Sequence, residues 1–162
     1  MFKRVKNYLI YYSLRPWILI FSILPLNLSR RILAGVGSIA CLVDNRGRTR
    51  ASAQLAQAFP EKDPHEISRI IRGMYTHFGV CIAELLKFSS LTTRDLENMV
   101  SFEGLERLSQ AYQKGKGVVC VTGHVGNWEL LAAAVAKKFP VKVIGRDLYD
   151  LRLNALLNRL RR

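Results

Sequence analysis

The chain has 162 residues, 49% of them hydrophobic. That is one domain or a piece of a larger one, with enough apolar material for a real core, and it excludes wholesale disorder. Twenty-five Lys and Arg stand against 12 Asp and Glu, a formal charge of +13, which bears on partners and not on fold: a nucleic acid, an anionic membrane surface or an acidic substrate.

Lys3, Arg4 and Lys6 precede an apolar, aromatic run, Tyr8–Leu28. No small-residue cleavage site of the A-x-A type follows it, so it does not read as a signal peptide. A membrane span needs about 20 apolar residues. Here Arg15, Pro16 and Pro25 interrupt the run and leave Trp17–Leu24 unbroken. The next apolar run, Ile32–Val43, is also short and carries Gly35, Gly37 and Ser38. Basic residues flank the first run on both sides, so positive charge selects no orientation. Residues 1–45 therefore read as membrane-associated apolar helices, lying in or dipping into the headgroup layer. A buried hairpin of core helices and a single span are the other placements the pattern allows.

Residues 46–162 read as a second region. A helix over Leu28–Val43 ends at Asp44-Asn45-Arg46-Gly47, and a helix over Thr49–Phe59 stops at Pro60. Asp63-Pro64-His65-Glu66 is a helix start in which Asp63 caps, Pro64 suits the first turn and Glu66 completes a capping box. That helix runs to about Phe88. Ile67, Ile70, Ile71, Met74, Tyr75, Phe78, Cys81, Ile82, Leu85 and Leu86 fall at spacings of three and four, a core face. Thr93 caps a short helix, Met99–Phe102 reads as a short strand, and Leu105–Gln113 as a helix. After the turn Lys114-Gly115-Lys116-Gly117 come strand Val118–Thr122, helix Trp128–Phe139, strand Val141–Ile144 and a basic helix, Leu151–Arg161.

Strand, helix, strand implies a right-handed crossover. The expected fold class is thus α/β: a helical N-terminal region, then the start of a mostly parallel sheet with covering helices. Ligands of such sheets bind beyond the carboxyl ends of the strands, and His124 follows strand Val118–Thr122. His124 and Glu129 are five residues apart, a spacing that separates them by some 140° on one ideal helix. They pair only if His124 sits on the turn and Glu129 in the first helical turn. Gly123 and Gly126 permit the tight bend, and Asn127 suits the N-cap. In that arrangement Glu129 steadies the imidazole and His124 takes a proton from a hydroxyl, as a general base. The plainer alternative is a satisfied turn histidine beside an ordinary helix-start Glu.

Other residues carry less. Cys41, Cys81 and Cys120 lack metal-ligand spacing and fit structural thiols in a reducing compartment. His65 and His77 have no companions at metal spacing, so no metal or cofactor is expected. Arg146 is either a phosphate contact or a strand-end charge. Arg152, Arg159, Arg161 and Arg162 form a basic face that meets a membrane or an acidic protein, or is simply solvated. Nucleic acid is the weakest partner class, because the aromatics cluster in the N-terminal apolar region instead of interleaving with basic patches.

Gly123-His124-Val125-Gly126-Asn127-Trp128-Glu129-Leu130 resembles the catalytic block of the bacterial lipid A biosynthesis (lauroyl/myristoyl) acyltransferases, a branch of the glycerophosphate-acyltransferase-like H-x4-D/E superfamily. Arg48-Thr49-Arg50, Gln54-Leu55 and Ala58-Phe59-Pro60-Glu61 are similar to the family's upstream segment, with Gln54 where Asn is expected. Glu84 resembles the acid of the family's following helix, and Val143-Ile144-Gly145-Arg146 the later Arg-bearing block.

The resemblance implies transfer of a fatty acyl group from an acyl carrier protein thioester (or acyl-CoA) to a hydroxyl of an anionic glycolipid, a lipid A precursor, at the cytoplasmic face of the bacterial inner membrane. His124 and Glu129 would be catalytic, and Arg146, Gly126 and Asn127 would meet substrate. It also implies that the 162 residues are the N-terminal half of such a domain with an incomplete sheet. The alternative expectation is a truncated, inactive membrane-binding remnant.

Overall fold

The computed structural model describes residues 2–145 and 150–160. It divides into two compact units, Met1–Ser89 with Asp147–Arg162, and Ser90–Arg146.

The first unit is built on helices. α1 (Phe2–Ile23) continues through Pro16, at the cost of one backbone donor. Pro25 separates it from α2 (Leu26–Val43), and α3 (Asn45–Ala58) follows. Asp44 joins α2 to α3. Its carboxylate accepts from the Gly47 amide at 2.8 Å and from the Tyr75 hydroxyl at 2.7 Å. Those two hydrogen bonds, the tyrosine's first, hold Asp44 below the usual carboxylate range, and the bond to Asp44, then burial, pushes the Tyr75 phenol up. α4 (Pro64–Lys87) opens on the expected capping box: Asp63 accepts from the His65 and Glu66 amides, and Glu66 reaches back to the Asp63 amide.

α2 and α4 run antiparallel. Arg30 meets Glu84, Leu33 meets Gly79, Gly37 meets Tyr75, and Ser38 bonds Thr76 at 3.0 Å, so numbers rise on one helix as they fall on the other. The approach is close because Gly37 and Gly79 lack a Cβ. One built on Gly79 would overlap the Leu33 carbonyl oxygen, and one on Gly37 the Tyr75 carbonyl oxygen. Cys41, Ile67 and Ile71 form the buried cluster between them, with Ala51, Leu55 and Tyr75 packed against it. At the other end Arg30 pairs with the buried Glu84 at 2.7 Å, and the Lys87 ammonium donates to the Ser22 carbonyl at 2.7 Å. The apolar face expected along α4 divides in two: Ile67, Ile71 and Cys81 are buried, whereas Ile70, Met74, Phe78 and Ile82 are exposed. α4 ends in a 3₁₀ turn, Phe88–Ser90.

The second unit holds α5 (Thr93–Met99), α6 (Leu105–Gln113) and α7 (Trp128–Ala136). Thr92, not Thr93, is the N-cap of α5, in a capping box with Asp95. Leu96, Leu130 and Ala134 are its buried residues. Tyr112 and Phe139 meet edge to face at 5.4 Å, and the Lys138 ammonium lies 5.8 Å from the Phe102 ring. The last helix, α8 (Leu151–Leu160), belongs to the first unit, where the Arg152 guanidinium lies 5.7 Å from the Tyr11 ring.

The expected parallel sheet does not occur among the described residues, which hold eight α-helices and no strand and are therefore all-helical and not α/β. Met99–Phe102, Val118–Thr122 and Val141–Ile144, read as strands from their composition, have no ladder partner. Several of their β-branched residues stand in solvent, with Val119 92%, Val121 94% and Ile144 101% exposed. Composition favours an extended backbone, but a strand exists only where a neighbour takes up its hydrogen bonds.

Candidate functional site

The His-to-Glu segment lies in the second unit, after residues 118–122, which belong to no helix or strand, and runs into the start of α7. Local chemistry shapes it. Gly126 adopts φ +59°, the left-handed region that suits glycine and turns the chain toward the helix. Asn127 then caps α7: its side-chain oxygen accepts from the Leu130 amide at 3.0 Å, and its carbonyl from the Leu131 amide at 3.1 Å. The first bond satisfies one of the amides a helix start leaves without an intrahelical partner, and the second is the first bond of the helix itself. Leu130 and Ala134 bury the inner side of α7 and fix the helix in its unit.

His124 therefore sits on the bend, exposed, and Glu129 is the second residue of the helix, half-buried. This is the division of turn and first helical turn that the spacing requires. A carboxylate there is also favoured by the positive end of the helix dipole. The ring packed on His124 is Trp128, with centroids 4.6 Å apart and planes tilted by 59°.

Gly126 and Asn127 shape the turn and cap the helix. Arg146, the other site residue expected from the sequence, lies outside the described residues. Of the remaining histidines, His77 is on α4, its Nε2 3.5 Å from the Cys81 sulfur. Burial, and next the charge of Glu84, push the Cys81 thiol up, which makes it a poor nucleophile. The pairing of Arg30 with Glu84, 54 positions away, carries no local signal.

The family profile of the bacterial lipid A biosynthesis acyltransferases matches residues 2–162. The chain belongs to this family. A lipid A biosynthesis acyltransferase works between an acyl donor and a lipid acceptor and is associated with bacterial membranes. Among the described residues one helix, Leu26–Val43, is long and apolar enough to cross a membrane. No curated protein and no solved structure matches the chain.

Proposed function

We propose that the protein transfers a fatty acyl group from an acyl carrier protein thioester to a hydroxyl of a lipid A precursor, at the cytoplasmic face of the inner membrane. His124 acts as general base and Glu129 orients it. The observation that carries the reading is an exposed imidazole on the bend before α7, followed by a carboxylate in that helix's first turn. Family membership supplies the substrate class.

In the proposed step the acceptor oxygen attacks the thioester carbonyl while His124 takes its proton. The tetrahedral intermediate collapses, the carbon–sulfur bond breaks, and the imidazolium returns the proton to the leaving thiolate. One ester and one thiol result, with no change of redox state. Glu129 stabilises the imidazolium between the two transfers, and general-base help of this kind is worth about 10²–10⁴ in rate. Arg146 contacts a phosphate of the acceptor, and the chain at Gly126 and Asn127 lies beside the reacting groups.

The net charge of +13 suits both substrates, since phosphorylated glycolipids and acyl carrier proteins are anionic, and each basic residue near an anionic surface adds about 1 kcal/mol of attraction. The test is incubation with acyl-acyl carrier protein and a lipid A precursor, then mass spectrometry of the lipid. A mass gain of one acyl group is expected. Gain from acyl-CoA alone would reassign the donor, and no gain from either would overturn the reading.

A further inference from the structure

We propose that α2 lies in the plane of an anionic membrane surface, with Leu28, Ile32, Val36, Ile39 and Val43 sunk among the acyl chains, and does not cross the bilayer. This rests on the reading that the protein works at a membrane, and adds which face meets lipid and in what orientation.

Three observations converge. The charge-free part of α2 is Ile32–Val43, since Arg30 and Arg31 precede it. Twelve helical residues span about 18 Å, well short of the roughly 30 Å hydrocarbon layer. Second, α2 is clamped along its length to α4, from the Arg30–Glu84 pair to the Asp44–Tyr75 hydrogen bond. Carrying α2 across the bilayer would carry that ion pair, His77 and Lys87 into hydrocarbon, where ionisable groups are costly. Third, the side of α2 turned away from α4 is continuously apolar. Leu28, Ile32, Val36, Ile39 and Val43 are 44%, 40%, 52%, 62% and 73% exposed. At 100° per residue they centre roughly opposite Arg30, Leu33, Gly37 and Cys41, the α4 side.

The occupant follows from charge. Exposed Arg31 stands near one end of the stripe, and exposed Arg46 and Arg50 just past the other. An apolar face bracketed by arginines on a chain of charge +13 matches an anionic lipid surface. A second copy of the chain would bring like charges together.

The experiment places a nitroxide at 28, 32, 36, 39 or 43, one at a time, in a Cys41→Ala, Cys81→Ala, Cys120→Ser background. Depth is read from oxygen and nickel-chelate collision rates on vesicles of phosphatidylethanolamine and phosphatidylglycerol. All five labels are expected at one depth within about 5 Å, the pitch of one helical turn, some 5–10 Å below the phosphates. A profile deepest at 36 and shallow at both ends means a span and overturns the proposal. Labels that never enter lipid defeat the membrane reading itself, and labels shielded without lipid show a dimer face and overturn the proposal.

A second measurement keeps the native cysteines. Val36→Lys is expected to weaken vesicle binding at least tenfold, while His77→Lys, on the exposed side of α4, leaves it unchanged. Equal losses would place both helices at depth and overturn the in-plane orientation.

Discussion

Gly79→Ala against Gly73→Ala tests the packing of α2 on α4. Both glycines lie inside α4, so each gains the same helix propensity on acquiring a methyl, about 1 kcal/mol. They differ in surroundings. A Cβ at Gly73 meets nothing within 4 Å, whereas one at Gly79 would fall under 3.0 Å from the Leu33 carbonyl. The obstacle is backbone and cannot rotate aside. Relief requires the two helices to part by on the order of 1 Å, enough to forfeit a quarter to a half of each close contact's attraction. Overpacking of this kind costs about 1–3 kcal/mol. Gly73→Ala is therefore expected to stabilise by somewhat under 1 kcal/mol, and Gly79→Ala to destabilise by up to about 2 kcal/mol net. Far-UV circular dichroism melts of the detergent-solubilised protein read the difference as Tm shifts of opposite sign, a few degrees each. A Gly79→Ala protein as stable as Gly73→Ala would refute the close crossing.

Ser29 is fully buried and its hydroxyl has no partner among the described residues. Ser29→Ala removes that desolvation cost of about 1–3 kcal/mol and is expected to raise Tm; a fall would reveal a hidden partner. Asn127→Ala strips the cap from the Leu130 amide and is expected to cost about 0.5–2 kcal/mol, read as faster hydrogen exchange at Leu130, with Asn127→Asp retaining protection. Tyr75→Phe removes the main cause of the lowered Asp44 pKa. A depressed carboxylate stabilises the fold above its free value of 3.8 and loses that contribution as pH falls through its folded value. The variant is thus expected to be less stable than the parent at neutral pH, with the gap narrowing below about pH 4, as denaturant titrations across pH would show.

Local signals in the sequence proved sound where the chemistry is local. Asp63-Pro64-His65-Glu66 announced the start of α4, and Asn127 the start of α7, because a cap is settled by side chains within three residues. The turn-then-helix placement of His124 and Glu129 is the condition that pairing across five residues sets, and it was legible in Gly126 and Asn127 between them and not in the spacing itself. What failed depends on partners distant in sequence. Val118–Thr122 has strand composition, but no described segment pairs with it. The α4 periodicity marked Ile70, Met74, Phe78 and Ile82 as apolar without saying what, if anything, covers them. Gly37 and Gly79 are points of close approach between α2 and α4, a relation between positions 42 apart that no window of sequence contains.

The claim that matters most is that the imidazole on the bend removes the acceptor's proton. Rates of acyl transfer to a lipid A precursor, measured for the parent and for His124→Ala alongside vesicle binding, test it directly. A fall of about 10²–10⁴ in rate with binding intact is the expected result. Transfer by His124→Ala at the parental rate would contradict it.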